Sequence, residues 1–255
     1  VETLGSVSTI CSDKTGTLTL NQLTLGDPFC MPGTTPARLL LQAALASRVE
    51  DQDPIDLVVV GSLPPDSPMG TYQILDFQPF DPVSKRTEAT VQTATGQTYK
   101  VAKGAPQVIL ALADNVQAIS SEVEQTIAEF AQRGFRSLGV AQTDSQGRWQ
   151  FLGILPLSAP PRPDAQATLA EMRSLGVNTK MLTGDQQAIA QEIAQQVGLQ
   201  GPILSTQLLI NTEQHETGPM RDAIEQATGF AQVFPEHKFH IVVVLQQRGH
   251  IVGMT

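Results

Sequence analysis

Two cysteines, one tryptophan and no long apolar run are the scarcities that bound this chain of 255 residues. Cys11 and Cys30 form no C-x-x-C pair and are too few for a disulfide framework, which fits a reducing compartment and makes the cytoplasm the default. Purely apolar stretches, such as Ile241 to Leu245, fall far short of the ~20 residues that a membrane helix needs, so no insertion into a bilayer is expected. No basic segment followed by an apolar stretch opens the chain, so no signal peptide is read. Basic residues are also scarce: Lys plus Arg number 16 against 25 for Asp plus Glu, a formal charge of −9. Such a surface repels a phosphate backbone or an anionic leaflet, and nucleic acid is excluded as a first partner. What is present is core material: 41% of residues are hydrophobic and only 16% are charged, enough for one large domain or two modest ones. Val1 is not a Met and the last residues read as a strand, so both ends are expected to be cut from something longer.

Local patterns divide the chain. Val7 to Cys11 is a β-branched apolar run that feeds the polar loop Ser12 to Thr17. Pro163 to Leu175 has helical periodicity and closes at Gly176; Val177 to Leu182 reads as a strand ending in Thr183-Gly184-Asp185. Ile189, Ile193 and Val197 make one stripe of a helix that stops at Gly198. Another helix opens at Pro235 and runs to Gly249 before a final strand. This alternation predicts a parallel sheet with helices on both faces. Between the two ends, helices open at Thr35-Pro36 and Asp53-Pro54, and strands cover Tyr72 to Phe77, Thr87 to Thr93 and Gln97 to Lys103. A capping box at Ser121 to Glu124 predicts a helix start, Val108 to Leu112 a short helix, and Asp144 to Gly147 a hairpin turn. Four prolines from Pro156 to Pro163 predict a stiff return crossing. The expected layout is an α/β domain over 1–25 and 157–255, interrupted by an inserted α+β domain over 26–156 built on an antiparallel sheet.

The strongest chemical signal is Ser12-Asp13-Lys14-Thr15-Gly16-Thr17. A carboxylate just past the C-terminal end of a parallel strand lies in the crevice where such sheets bind ligands, and it can attack phosphorus to form an acyl phosphate. The turn with Gly16 lets backbone N–H groups approach a phosphoryl group, and Mg²⁺ would neutralise charge on both partners. The bland alternative is a surface turn with a solvated Asp. The histidines His215, His237, His240 and His250 show no ligand spacing and read as solvated positions.

Asp13 to Thr17 match in full the D-K-T-G-T motif, and the chain here resembles the P-type cation-transporting ATPases, a likeness that extends over nearly all of it. The resemblance implies a haloacid-dehalogenase-like phosphorylation domain with an inserted nucleotide-binding domain, and ATP with Mg²⁺ as cofactors. It implies that Asp13 takes the γ-phosphate, that Lys14 belongs to the catalytic motif, and that Asp13 and the Thr15 carbonyl hold Mg²⁺. Thr183-Gly184-Asp185 is similar to the family's T-G-D loop, and Lys238 in Phe234-Pro235-Glu236-His237-Lys238 to a lysine at the phosphoryl site. Phe77 to Arg86 resembles the nucleotide-binding segment, with Phe80 stacking on adenine and Lys85 beside it. Lys103-Gly104-Ala105-Pro106 resembles K-G-A-P, with Lys103 lining the adenine pocket and Gly104 admitting the base closely. Arg136 matches an arginine that reaches the phosphates, and Asp56 an acid near the adenine amino group. For several of these a plainer reading stands beside the functional one: Phe80 as core, Asp56 as a helix-stabilising carboxylate, Lys238 as a solvated lysine.

Phe80 to Val91 and Val233 to Lys238 look most like the plasma-membrane proton pumps, which implies the cytoplasmic side of a plasma membrane. The implied partners are ATP and the rest of the pump, its actuator and transmembrane domains. Ala159-Pro160-Pro161-Arg162 departs from the family's D-P-P-R, so Ala159 is left out of the site. The family's next metal-binding loop is expected after Thr255, which predicts weak or no self-phosphorylation by the fragment. Two alternatives stay open. One is a haloacid-dehalogenase phosphatase, disfavoured because Thr15 stands where those enzymes place a proton-transferring Asp. The other is an ATP-binding module without chemistry.

Overall fold

The computed structural model describes residues 6–207 and 218–255. It divides into two compact units, one of Val1–Gln22, Ala131–Gly134 and Ala159–Thr255, the other of Leu23–Phe130 and Phe135–Ser158.

The first unit begins with strand β1 (Thr9–Asp13), and the chain then enters the second. There, β2 (Thr24–Leu25) and β3 (Phe29–Cys30) lead to helix α1 (Pro36–Leu45), capped by the Thr35 side chain, and α2 (Pro54–Gly61), capped by Asp53. Strands β4 (Gln73–Asp81), β5 (Arg86–Gln92) and β6 (Thr98–Gly104) follow, then α3 (Pro106–Leu110), α4 (Val116–Gln132), β7 (Arg136–Thr143) and β8 (Trp149–Ser158). They form an antiparallel sheet in the order β2-β8-β7-β6-β5-β4, with β3 also on β8. Helix α4 packs Ile119, Val123, Ile127 and Phe130 with Ala102, Ala141 and Ile154 of the sheet, while Leu39 and Val59 of α1 and α2 pack with Leu138, Val140 and Leu155. This is the α+β sheet that the middle of the sequence predicts.

Some local expectations are corrected. The four residues read as a capping box lie inside α4, which starts five residues earlier at Val116; the apolar stripe from Ile119 sets the helix, and capping chemistry on its exposed side does not interrupt it. Strand β4 continues past Phe77 through Pro79, because it is an edge strand and a proline there forfeits no ladder bond. β8 likewise runs through Pro156, paired with Ser137, so the proline-rich crossing begins later than predicted.

Back in the first unit come α5 (Ala165–Ser174), β9 (Asn178–Leu182), α6 (Gln187–Gln196), β10 (Ile203–Ser205), α7 (Gly218–Gln226), β11 (Gly229–Ala231), α8 (Pro235–Gln247) and β12 (Val252–Met254). The strands pair in parallel in the order β10-β11-β9-β1-β12, with β1 between β9 and β12. Successive residues of β9 face opposite sides: Met181 joins Leu169, Ile189 and Ile193, whereas Leu182 joins Cys11, Ile224, Phe230 and Ile241. Helices therefore cover both faces, as the alternation of strand and helix requires. Among the described residues no helix is long and apolar enough to cross a membrane.

Candidate functional site

In the first unit the site is built at the C-terminal end of β1, an interior strand of the parallel sheet. Asp13 is the last residue of β1, opposite Leu182 of β9, and the chain turns immediately beyond it. Thr15 (φ −78°, ψ 126°) and Gly16 (φ 79°, ψ −10°) have the dihedrals of a type II turn, whose third position needs a positive φ; this is why glycine stands there. The Thr19 amide and hydroxyl both donate to the Lys14 carbonyl, at 3.0 and 3.2 Å, and close the loop.

Helix α8 brings Lys238 back to Asp13 across 225 positions of sequence, with Nζ 2.6 Å from Oδ2. The side chains keep 27% (Lys238) and 39% (Asp13) of their exposure, so the pair is open to solvent and worth at most ~1 kcal/mol to folding. Its arrangement is not explained by stability. Lys14 is different: only 4% exposed, it pairs with the equally buried Asp185 at 3.0 Å. Thr183 and Asp185 follow β9; the Asp185 amide donates to the Thr183 hydroxyl at 3.2 Å. The loop is fastened to the exit of β11, since the Thr183 amide donates to the Phe230 carbonyl and the Val233 and Gln232 amides donate to the carbonyls of Thr183 and Asp185. Asp13, Lys14, Thr183, Gly184, Asp185 and Lys238 thus surround one end of the sheet.

No group of three or more His, Cys, Asp or Glu among the described residues could hold a metal. With Asp185 engaged by Lys14, the Asp13 carboxylate, shared with Lys238, is the acid left at the strand end, and the Thr15 carbonyl is the second donor that the resemblance assigns to the metal. An oxygen-only set this small fits Mg²⁺, which keeps several waters and is commonly shared with substrate phosphates.

The second unit has its own cavity, of about 460 Å³, and Asp56, Phe80, Lys103, Gly104 and Arg136 all line it. Lys85 is not among the lining residues. Phe80 is 59% exposed, which rules out the plainer reading of it as core. Asp56 is buried, and its carboxylate does not cap the helix: Asp53 does that, accepting from the amides of Ile55 and Asp56. Asp56 instead receives Lys103 Nζ on Oδ1 at 2.6 Å and the Arg48 amide on Oδ2 at 2.7 Å.

Gly104 corrects an expectation. A Cβ there would lie 2.3 Å from the Lys85 carbonyl oxygen and 2.7 Å from Arg86 Cα, so the missing side chain makes room for the β4–β5 hairpin rather than for a base. Lys85 holds a left-handed conformation (φ 50°), and its carbonyl accepts from the Ala105 amide at 3.0 Å.

Sequence reasoning missed Thr87 and the apolar wall of Ile55, Leu138 and Leu157. Thr87 carried a signal: on β5 it shares a face with Ala89 and Val91, so its hydroxyl points where strand periodicity puts core. Two histidines also differ from the solvated reading. Buried His237 accepts the Phe234 amide on Nδ1 and caps α8, and His250 bonds Thr9 and Glu225. His215 lies outside the described residues.

Residues 7–237 match the family model of haloacid dehalogenase-like hydrolases. Over its full length the chain is 45% identical to a Methanocaldococcus jannaschii protein named as a cation-transporting ATPase, and covers 32% of it. It is 43% identical to the plasma membrane ATPase of Neurospora crassa and 40% to plasma membrane ATPase 1 of Saccharomyces cerevisiae, covering 29% of each. The chain therefore spans about a third of the length of the curated relatives it matches. It belongs to the haloacid dehalogenase-like hydrolase family and, within it, corresponds to the catalytic region of the P-type cation-transporting ATPases.

Proposed function

We propose that this chain binds Mg-ATP in the second unit and accepts the γ-phosphate on Asp13 in the first, as the energy-transducing step of a cation pump, with the proton as the ion. The observation that carries the reading is the Asp13–Lys238 pair. A solvent-reachable carboxylate ends an interior parallel strand and meets a cation contributed by a helix 225 residues away. An Asp13 oxygen attacks the γ-phosphorus as the bond to the β–γ bridging oxygen breaks, and ADP leaves with that oxygen. Lys238 supplies positive charge where phosphoryl oxygens gather. Lys14 and Asp185 neutralise each other in the wall and hold the two loops, while Thr183 offers its hydroxyl close by. Mg²⁺ held by Asp13 and Thr15 would screen the repulsion between carboxylate and phosphate.

In the second unit Phe80 presents an aromatic face, Lys103 a donor, and Arg136 a cation at the rim. The fungal relatives named as plasma membrane ATPases support a plasma-membrane pump, with this region on its cytoplasmic side and actuator and transmembrane domains as its partners. The phosphatase alternative is disfavoured because Thr15, which cannot act as a general acid, follows the nucleophile by two positions.

Two measurements test the reading. Phe80→Ala and Lys103→Ala are each expected to weaken ATP binding to the chain by ~1–3 kcal/mol in calorimetric titration. Unchanged affinity in both removes the nucleotide site. In the full-length protein, γ-labelled ATP with Mg²⁺ is expected to leave hydroxylamine-labile label that Asp13→Asn abolishes. Persistence of that label in the variant removes Asp13 as acceptor.

A further inference from the structure

Lys103 is 3% exposed, and its ammonium cannot remain buried without partners. It has three N–H donors. One goes to Asp56 Oδ1 at 2.6 Å and a second to Thr87 Oγ1 at 3.1 Å. Asp56 cannot swing away to serve another group, because the Arg48 amide grips its other oxygen at 2.7 Å.

Thr87 is fixed just as firmly. Its hydroxyl has a single hydrogen, and the nearer acceptor, at 2.7 Å, is the carbonyl of Ala46, the C-cap residue of α1. The Lys103 carbonyl is 3.5 Å away. With the hydrogen committed to Ala46, what Thr87 turns toward Lys103 is a lone pair. Asp56 alone would hold Nζ by one bond, about which the end of the flexible side chain could still pivot. Asp56 and Thr87 together hold Nζ from two sides, so its position is fixed and the third N–H keeps one direction.

We propose that Thr87 is a positioning residue: with Asp56 it pins the Lys103 ammonium in place, so that the third N–H is kept for a hydrogen-bond acceptor on the base of a bound nucleotide. The inference rests on the nucleotide reading of this cavity and deepens it. Thr87 acts through Lys103. Because a helix-capping carbonyl orients Thr87, the end of α1 is tied into the recognition of the base.

The test uses isosteric variants and two probes, Mg-ATP and Mg-tripolyphosphate, titrated calorimetrically into the chain. Thr87→Val keeps the shape and loses the lone pair; Thr87→Ser keeps the hydroxyl. Thr87→Val is expected to bind ATP about tenfold more weakly, the loss of one well-aligned hydrogen bond, with tripolyphosphate affinity unchanged. Thr87→Ser is expected to bind both as the parent does, which also holds the inference to account if the valine variant folds poorly. ATP affinity unchanged in Thr87→Val, an equal loss of both probes, or a serine variant as weak as the valine would each overturn the positioning role. A parent protein that does not prefer ATP to tripolyphosphate would instead overturn the nucleotide reading itself, and this inference with it.

Discussion

Gly104→Ala separates two explanations of one glycine. If the residue admits an adenine base, a methyl group there should spoil ligand binding and leave the fold alone. The structure gives the opposite priority. The added Cβ would sit 2.3 Å from the Lys85 carbonyl oxygen, 2.7 Å from Arg86 Cα and 2.8 Å from Arg86 Cβ, and no rotamer change can move any of these atoms of the adjoining hairpin. Restoring van der Waals contact requires the hairpin to retreat by about 1 Å, and overpacking of that kind costs ~1–3 kcal/mol. The retreat also lengthens the 3.0 Å bond from the Ala105 amide to the Lys85 carbonyl, worth about 1 kcal/mol more. A loss of roughly 2–4 kcal/mol is expected in denaturant unfolding. ATP affinity should also fall, since Phe80 precedes the displaced turn and forms the exposed wall of the cavity. Stability within about 0.5 kcal/mol of the parent, accompanied by lost ATP binding, would refute the argument and restore the glycine to the ligand.

Gly16→Ala is the contrasting case: the nearest atom to a new Cβ is 4.0 Å away but φ is 79°, so a cost of about 1 kcal/mol from conformation alone is expected in the same unfolding assay. In the buried Asp56–Lys103 pair, either single alanine substitution leaves an uncompensated charge and should cost ~3–5 kcal/mol, while the double variant should recover part of that loss in a double-mutant cycle. Burial raises the Cys11 thiol from 9.0 to about 11, against a smaller opposing pull from Lys180. Above pH 9 the unfolded chain gives up this proton and the folded one keeps it, so stability falls as pH rises from 9 through 11, by up to ~2.7 kcal/mol from this group. Unfolding curves of Cys11→Ala should show a flatter alkaline limb.

The architecture of both units was legible because it follows from local periodicity. The stripe of Ile189, Ile193 and Val197, the strand before Thr183 and the prolines that open α1, α2 and α8 each restrict a few consecutive residues, and sequence displays such restrictions directly. The chemical partners were legible only by type. That Asp13 ends a strand could be read from periodicity; that Lys238 belongs beside it came from the family resemblance alone, because local pattern does not show where α8 enters, far along the chain. Gly104 shows the same dependence. A glycine beside a lysine suggests room for a ligand, but whether the space is filled by ligand or by backbone depends on the register of β5 against β6, which pairs Arg86 with Gly104. The motif match supplied residues for the site, and tertiary structure assigned their contacts.

Three buried lysines show how that assignment separates function from support. Lys14 meets the carboxylate of Asp185, Lys103 meets that of Asp56 with Thr87 beside it, and Lys180 donates to the carbonyls of Glu225 and Ala227 at the end of α7, at 2.7 and 2.5 Å. The first two bring their charge to the candidate sites of their units. The third lies on β9 opposite Cys11, and desolvation lowers its pKa, with Cys11 and Glu225 pulling the other way. A positive charge there complements the negative end of a helix, a role that carbonyl oxygens fulfil with no ionised partner. The substitutions should therefore differ in kind. Lys14→Met breaks the buried ion pair with Asp185 and should cost ~3–5 kcal/mol, because one member of the pair loses its opposite charge away from water. Lys180→Met strands only neutral carbonyls and should cost ~1–3 kcal/mol, and it also removes an ammonium that folding must desolvate. Equal losses for the two in denaturant titration would mean that the Asp185 charge is relieved by some other group, and that Lys14 does not hold the Thr183-Gly184-Asp185 loop in the manner argued here.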